Sequence, residues 1–328
     1  MPQKIGKRVV ADLKKRSKKG LEYAKRILQA EKIDHPKLRE ALEHYLAHWD
    51  EFTHTGLFSI ACETVGGNPD DFVTVQASIA MMAAAFDVHD DIIDKSNVKH
   101  NVPTVYGKFG AERALLLGNA FLIEGFILFA DSTAKLPKEK GKMAREALKK
   151  LLFEIGNAHA IEVGLKEKKD IAPDEYMKII EMKAASIEAD MYLGALFGGG
   201  EDIEVGILAR LGRILGLLDT IREEFIDVFE IEELCQRIAV QDLPLPLLFA
   251  MQAQEARGKI VNIISKTKIT ESDVAELLDV TLEAEPVVKL KDKMRLLIEE
   301  GLTLLKNFPR AKLRSKLHFL LSFMLEDL

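Results

Sequence analysis

The chain has 328 residues, of which 48% are hydrophobic and 30% are charged, as in an ordinary soluble globular protein. A formal net charge of −6 provides no basic surface for nucleic acid, and the longest apolar runs look too short to span a bilayer or are interrupted, as by Asn119 and Glu124. Since no linker rich in glycine, serine or proline divides the sequence, we expect a single domain over residues 1–328.

The first twenty residues are strongly basic, with eight lysines or arginines and a single acid, Asp12. Because charge runs are usually solvated faces, we interpret this stretch as an exposed first helix, with contact to an anionic membrane surface as the alternative. No apolar signal segment follows, and Cys62 and Cys235 both lie in apolar helical sequence. We therefore expect free thiols in a reducing compartment and a cytoplasmic protein.

Nearly every later segment has the pattern of a helix. Prolines recur about every 34 residues in the first half, each at a predicted helix start or turn: Pro36, Pro69, Pro103, Pro137 and Pro173. No residue pattern recurs around them, which argues against tandem repeats. Intervening segments of 20 to 30 residues without alternating hydrophobicity predict an all-α bundle of about ten to thirteen helices.

The stretch Phe86–Asp94 places four carboxylates on one face of a predicted helix, at Asp87, Asp90, Asp91 and Asp94. Four anions within two turns repel one another unless water or cations neutralise them, and the preceding alanines and methionines favour burial. Oxygen ligands of this kind suit Mg²⁺, which often combines one or two carboxylates with water and substrate phosphates. The stretch therefore predicts a magnesium site.

A second acid-acid-x-x-acid pattern stands at Glu223–Asp227. Acids make up 52 of 328 residues, so such spacing also arises by chance, and an exposed charged face is the alternative interpretation of both copies. Both copies lie in apolar helical sequence, which favours functional sites over surface.

Two helices are predicted to be central. The segment Leu115–Phe129 is apolar almost all round, as expected of a helix enclosed by others. The acidic helix carries alanines small enough for close packing or for an apolar cavity beneath the carboxylates, at Ala77, Ala80, Ala83, Ala84 and Ala85. An acidic rim over an apolar cavity would hold a diphosphate through metal ions and a hydrocarbon chain below.

The residues around this helix resemble the trans-polyprenyl diphosphate synthases. His89–Asp94, followed by Ser96, Pro103–Thr104 and Lys108–Gly110, resembles the first aspartate-rich region of that family. Further similar segments follow in the family's order and extend the resemblance to roughly 270 residues: Ala61–Gly67, Leu117–Ala120, Glu175–Ala195, Gly216–Asp227 and Pro309–Leu328. This collinearity is much more specific than either acidic motif alone.

The resemblance implies an isoprenoid synthase-type helical bundle with a central apolar cavity and two acid-bearing helices facing each other. It implies three Mg²⁺ ions that bind the diphosphate of an allylic substrate. Lys183 would clamp the diphosphate and, with Asp90 and Asp91, be catalytic, stabilising negative charge as the C–O bond breaks. The implied metal ligands are Asp90, Asp91 and Asp94 in one cluster and Glu223, Glu224 and Asp227 in the other.

The implied function is Mg²⁺-dependent ionisation of an allylic prenyl diphosphate and prenyl transfer, as in a polyprenyl or geranylgeranyl diphosphate synthase of isoprenoid biosynthesis. A homodimer is expected, with a hetero-oligomer as the alternative. Phe86 stands where bulky side chains set product length in the family, and is either the floor of the cavity or an ordinary core aromatic.

The sequence departs from the family where cations bind isopentenyl diphosphate, the second substrate. A Gly-Lys-Arg-x-Arg-Pro block is replaced by Asp50–Thr55, and an Arg-Arg-Gly by Lys99–Asn101. A diphosphate without metal needs close lysine or arginine donors, for which Lys99, His100 and His54 are poor substitutes. Binding of isopentenyl diphosphate therefore stays open.

These departures leave two alternatives to a prenyltransferase. A terpene-cyclase-like lyase would act on one allylic diphosphate without isopentenyl diphosphate, consistent with the lost cations; a head-to-head synthase is a weaker variant. A non-catalytic partner subunit would keep only the fold. The intact Asp90, Asp91, Asp94 and Lys183 count against the last, because a structural subunit gains nothing from a self-repelling acid cluster.

Overall fold

The structure is a computed structural model that describes residues 2–99, 101–165, 171–239, 242–266, 268–308 and 315–324. These residues form one short antiparallel hairpin, β1 Val98–Lys99 with β2 Val102–Pro103, a 3₁₀ turn at Pro69–Phe72, and sixteen α-helices. The helices are α1 Pro2–Ala30, α2 Pro36–His48, α3 Thr53–Thr64, α4 Val73–Asp94, α5 Val105–Phe109, α6 Ala111–Ala134, α7 Lys138–Leu165, α8 Pro173–Lys183, α9 Ala185–Phe197, α10 Asp202–Phe229, α11 Ile231–Ala239, α12 Leu245–Ala250, α13 Gln254–Ile264, α14 Glu271–Glu283, α15 Glu285–Lys306 and α16 Ser315–Phe323.

The helix count exceeds the predicted ten to thirteen because short helices such as α5 and α12 are too brief for hydrophobic periodicity to separate them from their neighbours. Two compact units can be distinguished in the chain, Gln3–Lys149 with Ala189–Ala209 and Lys150–Glu188 with Arg210–Leu328. The single domain over residues 1–328 stays a prediction.

The first unit is organised around the packing of α4 against α6. Small residues allow the two helices to approach closely: a Cβ added at Gly125 would lie 2.8 Å from the Cγ of Met82, and one at Gly118 would lie 2.5 Å from the Nε2 of His89. Four of the five α4 alanines are buried, all except Ala83, and Phe121 of α6 is fully buried beneath Trp49. The small side chains of α4 thus allow the close packing expected of them, and Ala83 and Ala84 also line a cavity.

The prediction that α6 is enclosed on all sides is wrong. Four large apolar side chains of this helix are exposed in the described part of the chain: Leu115, Leu116, Ile123 and Ile127. An apolar composition all round does not distinguish a helix enclosed by its own chain from one with a face left for a partner.

Two stretches, Pro69–Asp94 and Ala111–Ala134, are long and apolar enough to cross a membrane by length and composition. The second stretch contains the interruptions expected from the sequence, Asn119 and Glu124. Within the first unit these stretches pack on one another, with 61% and 39% of their most apolar windows buried, and core helices of other proteins share this property.

In the second unit, one face of α10 is a stripe of buried apolar side chains. Ile214, Leu218, Ile221 and Phe225 recur at helical spacing and are each at most 1% exposed. The spacing turns Asp219 and the outer acids of the second motif away from this stripe, so the helix presents its charged residues on a different face from its core contacts.

Candidate active site

The first acidic motif lies on the last two turns of α4, as predicted. The helix ends at Lys95, which takes the left-handed conformation with φ 56°. Within the motif Asp91 is buried at 4% exposure, Asp90 is half-buried, and Asp87 and Asp94 are exposed. Spacing on one face therefore does not give the four carboxylates equal access to solvent or ligands.

Lys99 closes over the buried end of this motif. Its Nζ lies 2.9 Å from Oδ1 of Asp87 and 2.8 Å from Oδ1 of Asp91. The hairpin that carries Lys99 is fastened by Thr104, whose hydroxyl donates to the carbonyl of Ser96 at 2.6 Å. The predicted substrate ligand Lys99 is thus an ion-pair partner of two α4 aspartates, and His100 lies outside the described residues.

Charge and burial oppose each other at Asp91. Burial raises the pKa of Asp91 to about 6, although Lys99 lowers it, and the neighbouring charges of Asp87 and Asp90 add to the rise. Burial lowers the pKa of Lys99, but the two carboxylates raise it by more, so the pKa lies above its ordinary value. Asp91 and Lys99 therefore form an ion pair that Asp87 shares from an exposed position, whereas Asp90 is half-buried and Asp94, one turn further on, is exposed.

A cavity of about 430 Å³ opens beside α4 and is bounded by the segment that replaces the expected cation block. Its lining includes Trp49, Glu51, His54, Asp87 and Lys99. Burial, followed by the charges of Asp87, Asp91 and Glu51, raises the pKa of the lining residue Tyr45 well above its ordinary value, as expected of a negative environment.

Glu51 and His54 form a bonded group at the start of α3. The backbone N–H of His54 donates to Glu51 at 2.7 Å, and the Thr55 hydroxyl donates at 3.0 Å, so Glu51 satisfies donors at the helix start. Burial raises the pKa of Glu51, although His54 lowers it. The Nδ1 of His54 lies 2.6 Å from the buried carboxylate of Asp190. His54, a predicted substrate ligand, thus lines the cavity with one ring nitrogen engaged.

The second acidic motif lies in the last turns of α10, in the second unit. Its middle acid, Glu224, is buried at 9% exposure and accepts from the Tyr176 hydroxyl at 3.0 Å, from Nη2 of Arg237 at 3.1 Å and from the backbone N–H of Leu245 at 2.8 Å. Three donors thus meet at one carboxylate. The metal-ligand role of Glu224 stays a prediction, and in this structure its carboxylate connects α8, α10, α11 and α12.

Arg237 of α11 is the cation at the centre of this group and is 7% exposed. It pairs with Glu224 and with Asp227, and its Nε donates to the carbonyl of Asp242 at 3.0 Å. Burial opposes its charge, but the surrounding carboxylates raise its pKa well above the ordinary value. Sequence reasoning missed Arg237, because a single arginine in a short amphipathic helix carries no sequence signal that it is buried against the acids of α10.

Glu223 differs from its neighbour because its side chain is exposed. Desolvation of the carboxyl group by the surrounding protein, together with the negative charges of Asp219 and Asp227, raises the pKa of Glu223 to about 7. The side chain is accessible to solvent, but its carboxyl group lies near the negative charges of Asp219 and Asp227. Its protonation therefore changes near neutral pH.

Lys183, the predicted diphosphate clamp, ends α8 and lies 2.8 Å from the carboxylate of Glu162 on α7. Sequence reasoning did not identify Glu162. The ammonium group of Lys183 is half-buried in this pair. Phe86, the predicted cavity floor, is half-buried on α4.

The described residues contain no group of three or more histidine, cysteine, aspartate or glutamate side chains arranged to hold a metal ion by themselves. Mg²⁺ binds through one or two carboxylates plus substrate phosphates and water, so a site completed by a substrate needs no such group. The exposed and half-buried oxygens of Asp90 and Asp94 fit this requirement.

The profile of the polyprenyl synthetase family matches residues 35–281. The chain belongs to the polyprenyl synthetase family. Similar proteins include a short chain isoprenyl diphosphate synthase of Methanothermobacter thermautotrophicus, 28% identical over 254 residues, 74% of this chain and 76% of that protein. Another is a geranylgeranyl diphosphate synthase of Methanosarcina mazei, 24% identical over 77% of this chain and 79% of that protein.

Solved structures show the same fold. A geranylgeranyl pyrophosphate synthetase from Pyrococcus horikoshii aligns with a TM-score of 0.83 at 23% identity, covering 98% of this chain and 99% of that chain. One from Geoglobus acetivorans aligns with a TM-score of 0.82 at 20% identity over 96% and 99%. The predicted family, its all-α isoprenoid synthase fold and a prenyltransferase-like enzyme of isoprenoid biosynthesis are confirmed.

Proposed function

We propose that this polyprenyl synthetase ionises an allylic prenyl diphosphate with Mg²⁺ and transfers the prenyl group. The observation that carries the proposal is the acidic end of α4, where Asp90 and Asp94 present carboxylates one turn apart beside a buried Asp91. A chain that used this helix only for packing would gain nothing from four mutually repelling aspartates.

Asp90 and Asp94 would hold Mg²⁺ together with oxygens of the substrate diphosphate. In the second unit, the outward Glu223 and Asp219 are the carboxylates best placed to bind metal, because Glu224 is enclosed by Tyr176 and Arg237. Three ions are proposed in all, and when bound they stabilise the negative charge that develops on the leaving diphosphate.

The chain's own residues supply the remaining functions. Lys183 would exchange its Glu162 partner for the diphosphate and donate hydrogen bonds to it, since both partners are anionic. Lys99 keeps Asp91 charged while it is buried, which fixes the end of α4 in place. Ala83 and Ala84 of α4 line the cavity and would provide an apolar wall that excludes water from an allylic cation.

A lyase that acts on the allylic diphosphate alone is the second candidate. The cavity beside α4 favours it, because carboxylates line the region where the sequence lacks the cations of an isopentenyl diphosphate site. Under this candidate the same carboxylates on α4 bind Mg²⁺, but the carbocation loses a proton or takes up water.

Incubation with Mg²⁺ and C10 to C20 allylic diphosphates, with and without isopentenyl diphosphate, separates these functions. Elongated diphosphates formed only with both substrates support a polyprenyl diphosphate synthase. Hydrocarbon or alcohol from the allylic substrate alone supports a lyase. No diphosphate release under any condition, with activity restored by a homologous chain, would contradict the proposal and support a partner subunit.

A further inference from the structure

The long first helix, α1, has one buried face and one exposed face. Its buried side chains recur at helical spacing: Val9, Leu13, Ser17, Ala24 and Leu28. Apart from Ala11, the exposed side chains between residues 7 and 19 are six cations: Lys7, Arg8, Lys14, Lys15, Lys18 and Lys19. At 3.6 residues per turn and 1.5 Å per residue, these six positions fall within an arc of about 140° and a length of roughly 18 Å. We call these six residues the basic stripe.

The basic stripe contains no exposed acid. Asp12, the single acid between residues 7 and 19, is half-buried, and its Oδ2 accepts a hydrogen bond from the Nε of Arg16 at 2.9 Å. The whole chain has the opposite balance, because 52 acids outnumber 46 lysines and arginines and the formal net charge is −6. The stripe is therefore a local positive surface on an acidic protein.

Acids next to the stripe neutralise only part of its charge. Three of the six cations have acidic partners, in the pairs Lys14–Asp50, Lys18–Glu22 and Lys19–Asp70. Every side chain in these pairs is at least 45% exposed, and exposed pairs of this kind are weak. Lys7 and Lys15 have no acidic partner in the part of the chain that the structure describes. The stripe therefore keeps a net positive charge.

The side chains of the stripe suit a flat anionic surface. Five of the six cations are lysines, which act as point charges and lack the planar, bidentate geometry of arginine. Residues 7–19 include no aromatic side chain on which a nucleic acid base could stack. The exposed Ala11 is too small to insert into hydrocarbon, so contact would be electrostatic. A cluster of about four to eight lysines and arginines on an amphipathic helix is typical of binding to anionic lipids.

We propose that the basic stripe of α1 docks this protein on the surface of a bilayer that contains anionic phospholipids. The helix axis would lie parallel to the membrane plane, with the lysines near the lipid phosphates. Docking of this kind is reversible and weakens as salt screens the charges. It goes beyond the proposed function, under which it would hold the enzyme where prenyl diphosphates partition, because their hydrocarbon chains enter bilayers.

Sedimentation with vesicles tests the proposal on the whole 328-residue chain. The vesicles are phosphatidylcholine alone or an equimolar mixture of phosphatidylcholine and phosphatidylglycerol. We expect binding to the mixed vesicles at ~0.1 M salt and its loss at ~1 M salt, because the Debye length falls from about 10 Å to about 3 Å. Binding to the mixed vesicles no tighter than to pure phosphatidylcholine, or binding that persists at the higher salt concentration, would overturn the proposal.

Two lysines of the stripe can be changed without breaking an ion pair. Lys7→Gln combined with Lys15→Gln removes two positive charges at exposed positions, and glutamine is a good helix former. Each lysine or arginine near an anionic surface is worth about fivefold in affinity, so the Kd for mixed vesicles should rise about 25-fold. Circular dichroism should show unchanged helix content, and an unchanged Kd would contradict the role of the stripe.

Lys142→Gln combined with Lys149→Gln is the matched control. Both lysines are exposed on α7, where Glu139 and Glu146 are exposed as well, and the change removes the same net charge from the protein. This variant should bind the mixed vesicles as tightly as the wild-type protein does. An equal loss in both double variants would assign binding to net charge rather than to the stripe and would overturn the proposal.

A DNA duplex of mixed sequence separates a lipid surface from nucleic acid as the partner. At ~0.1 M salt we expect weaker binding of the duplex than of the mixed vesicles. Tighter binding of the duplex, lost in Lys7→Gln combined with Lys15→Gln, would assign the stripe to nucleic acid and refute docking on lipid. None of these measurements depends on turnover, so their outcome is separate from that of the proposed function.

Discussion

The two acidic motifs have the same spacing but differ in how their charges are neutralised. On α4, Lys99 reaches one buried aspartate from a neighbouring hairpin and leaves Asp90 and Asp94 more exposed. On α10, Arg237 engages both Glu224 and Asp227 from within the protein, and Glu223 is the exposed acid. Spacing alone therefore does not show which carboxylates of a motif are buried in an ion pair and which are exposed.

The largest effect is expected at Arg237. Arg237→Ala leaves Glu224 buried with an uncompensated charge and should lower the free energy of unfolding by about 3–5 kcal/mol. Lys99→Ala removes the cation of the α4 motif, whose side chain is 38% exposed against 9% for Arg237, and should therefore lower the free energy of unfolding by less than Arg237→Ala does. Chemical denaturation of both variants measures the difference, with Arg295→Ala, an exposed pair within one helix, as the control. Equal losses for Arg237→Ala and Lys99→Ala would refute the comparison.

Within the α4 motif, Asp90→Asn should reduce turnover more than Asp91→Asn does. Asp90 is the more exposed metal ligand proposed here, whereas Asp91 is held by Lys99. Loss of a group that stabilises charge in the transition state costs about 10²–10³ in kcat. Steady-state release of diphosphate measures this, and Asp34→Asn, an exposed change far from the motif in sequence, should leave the rate unchanged. A smaller loss for Asp90→Asn than for Asp91→Asn would reverse the assignment.

Glu223 makes stabilisation by Mg²⁺ dependent on pH. Its pKa is raised from an ordinary 4.5 to about 7, so the protonated group stabilises the metal-free fold fully below about pH 4.5 and loses that contribution as pH rises through 7. The carboxylate that forms is the metal ligand proposed above, and on that proposal Mg²⁺ should raise the Tm more at pH 8 than at pH 6. Thermal unfolding with Mg²⁺ or a chelator tests this.

The matched variant for that measurement is Glu223→Gln, which cannot change charge over this range. Its response to Mg²⁺ should be smaller and should vary less between pH 6 and pH 8. An unchanged pH dependence in Glu223→Gln would assign the titration to another group.

Phe86 tests whether α4 also limits product length. Phe86→Ala should deepen the space beside the helix and shift the products toward longer chains, because a half-buried aromatic side chain is removed. Chromatography of the dephosphorylated products measures the shift, with Phe229→Ala at an exposed position as the control. Unchanged product lengths would make Phe86 an ordinary core residue.

The smallest effect on chemistry is expected at the exposed apolar face of α6. We propose that a second copy of the chain covers this face, so Leu116→Glu combined with Ile123→Glu should convert a dimer to a monomer with little change in helix content. Light scattering and circular dichroism measure the two properties. Leu296→Glu, equally exposed on α15, should keep the dimer, and a monomeric wild-type protein would refute the proposal.

The sequence predicted the features that depend on local spacing. The four aspartates of α4 share a face because helical periodicity fixes side-chain direction within a few turns. The fold was predicted from the family motifs, which occur in the family's order along the chain. Lys183 and Lys99 were identified as functional cations, but their partners were not.

The missed features depend on contacts between distant residues. Arg237 meets the acids of α10 from the next helix, Glu162 meets Lys183 from 21 residues away, and His54 meets Asp190 from 136 residues away. No local pattern records which of several charged residues will be neutralised inside the protein. The exposed face of α6 was missed for a similar reason, because composition alone does not show what covers an apolar surface.

Gly118 of α6 packs against the acidic end of α4, so a change at this position would affect that end of the helix. Any side chain at this position would press on the imidazole of His89, which directly precedes Asp90 in the chain. Substitution with alanine would displace the imidazole or move the two helices apart, and either change would reorient the neighbouring carboxylate. The orientation of the aspartate proposed to bind Mg²⁺ can therefore be adjusted from a residue that carries no charge.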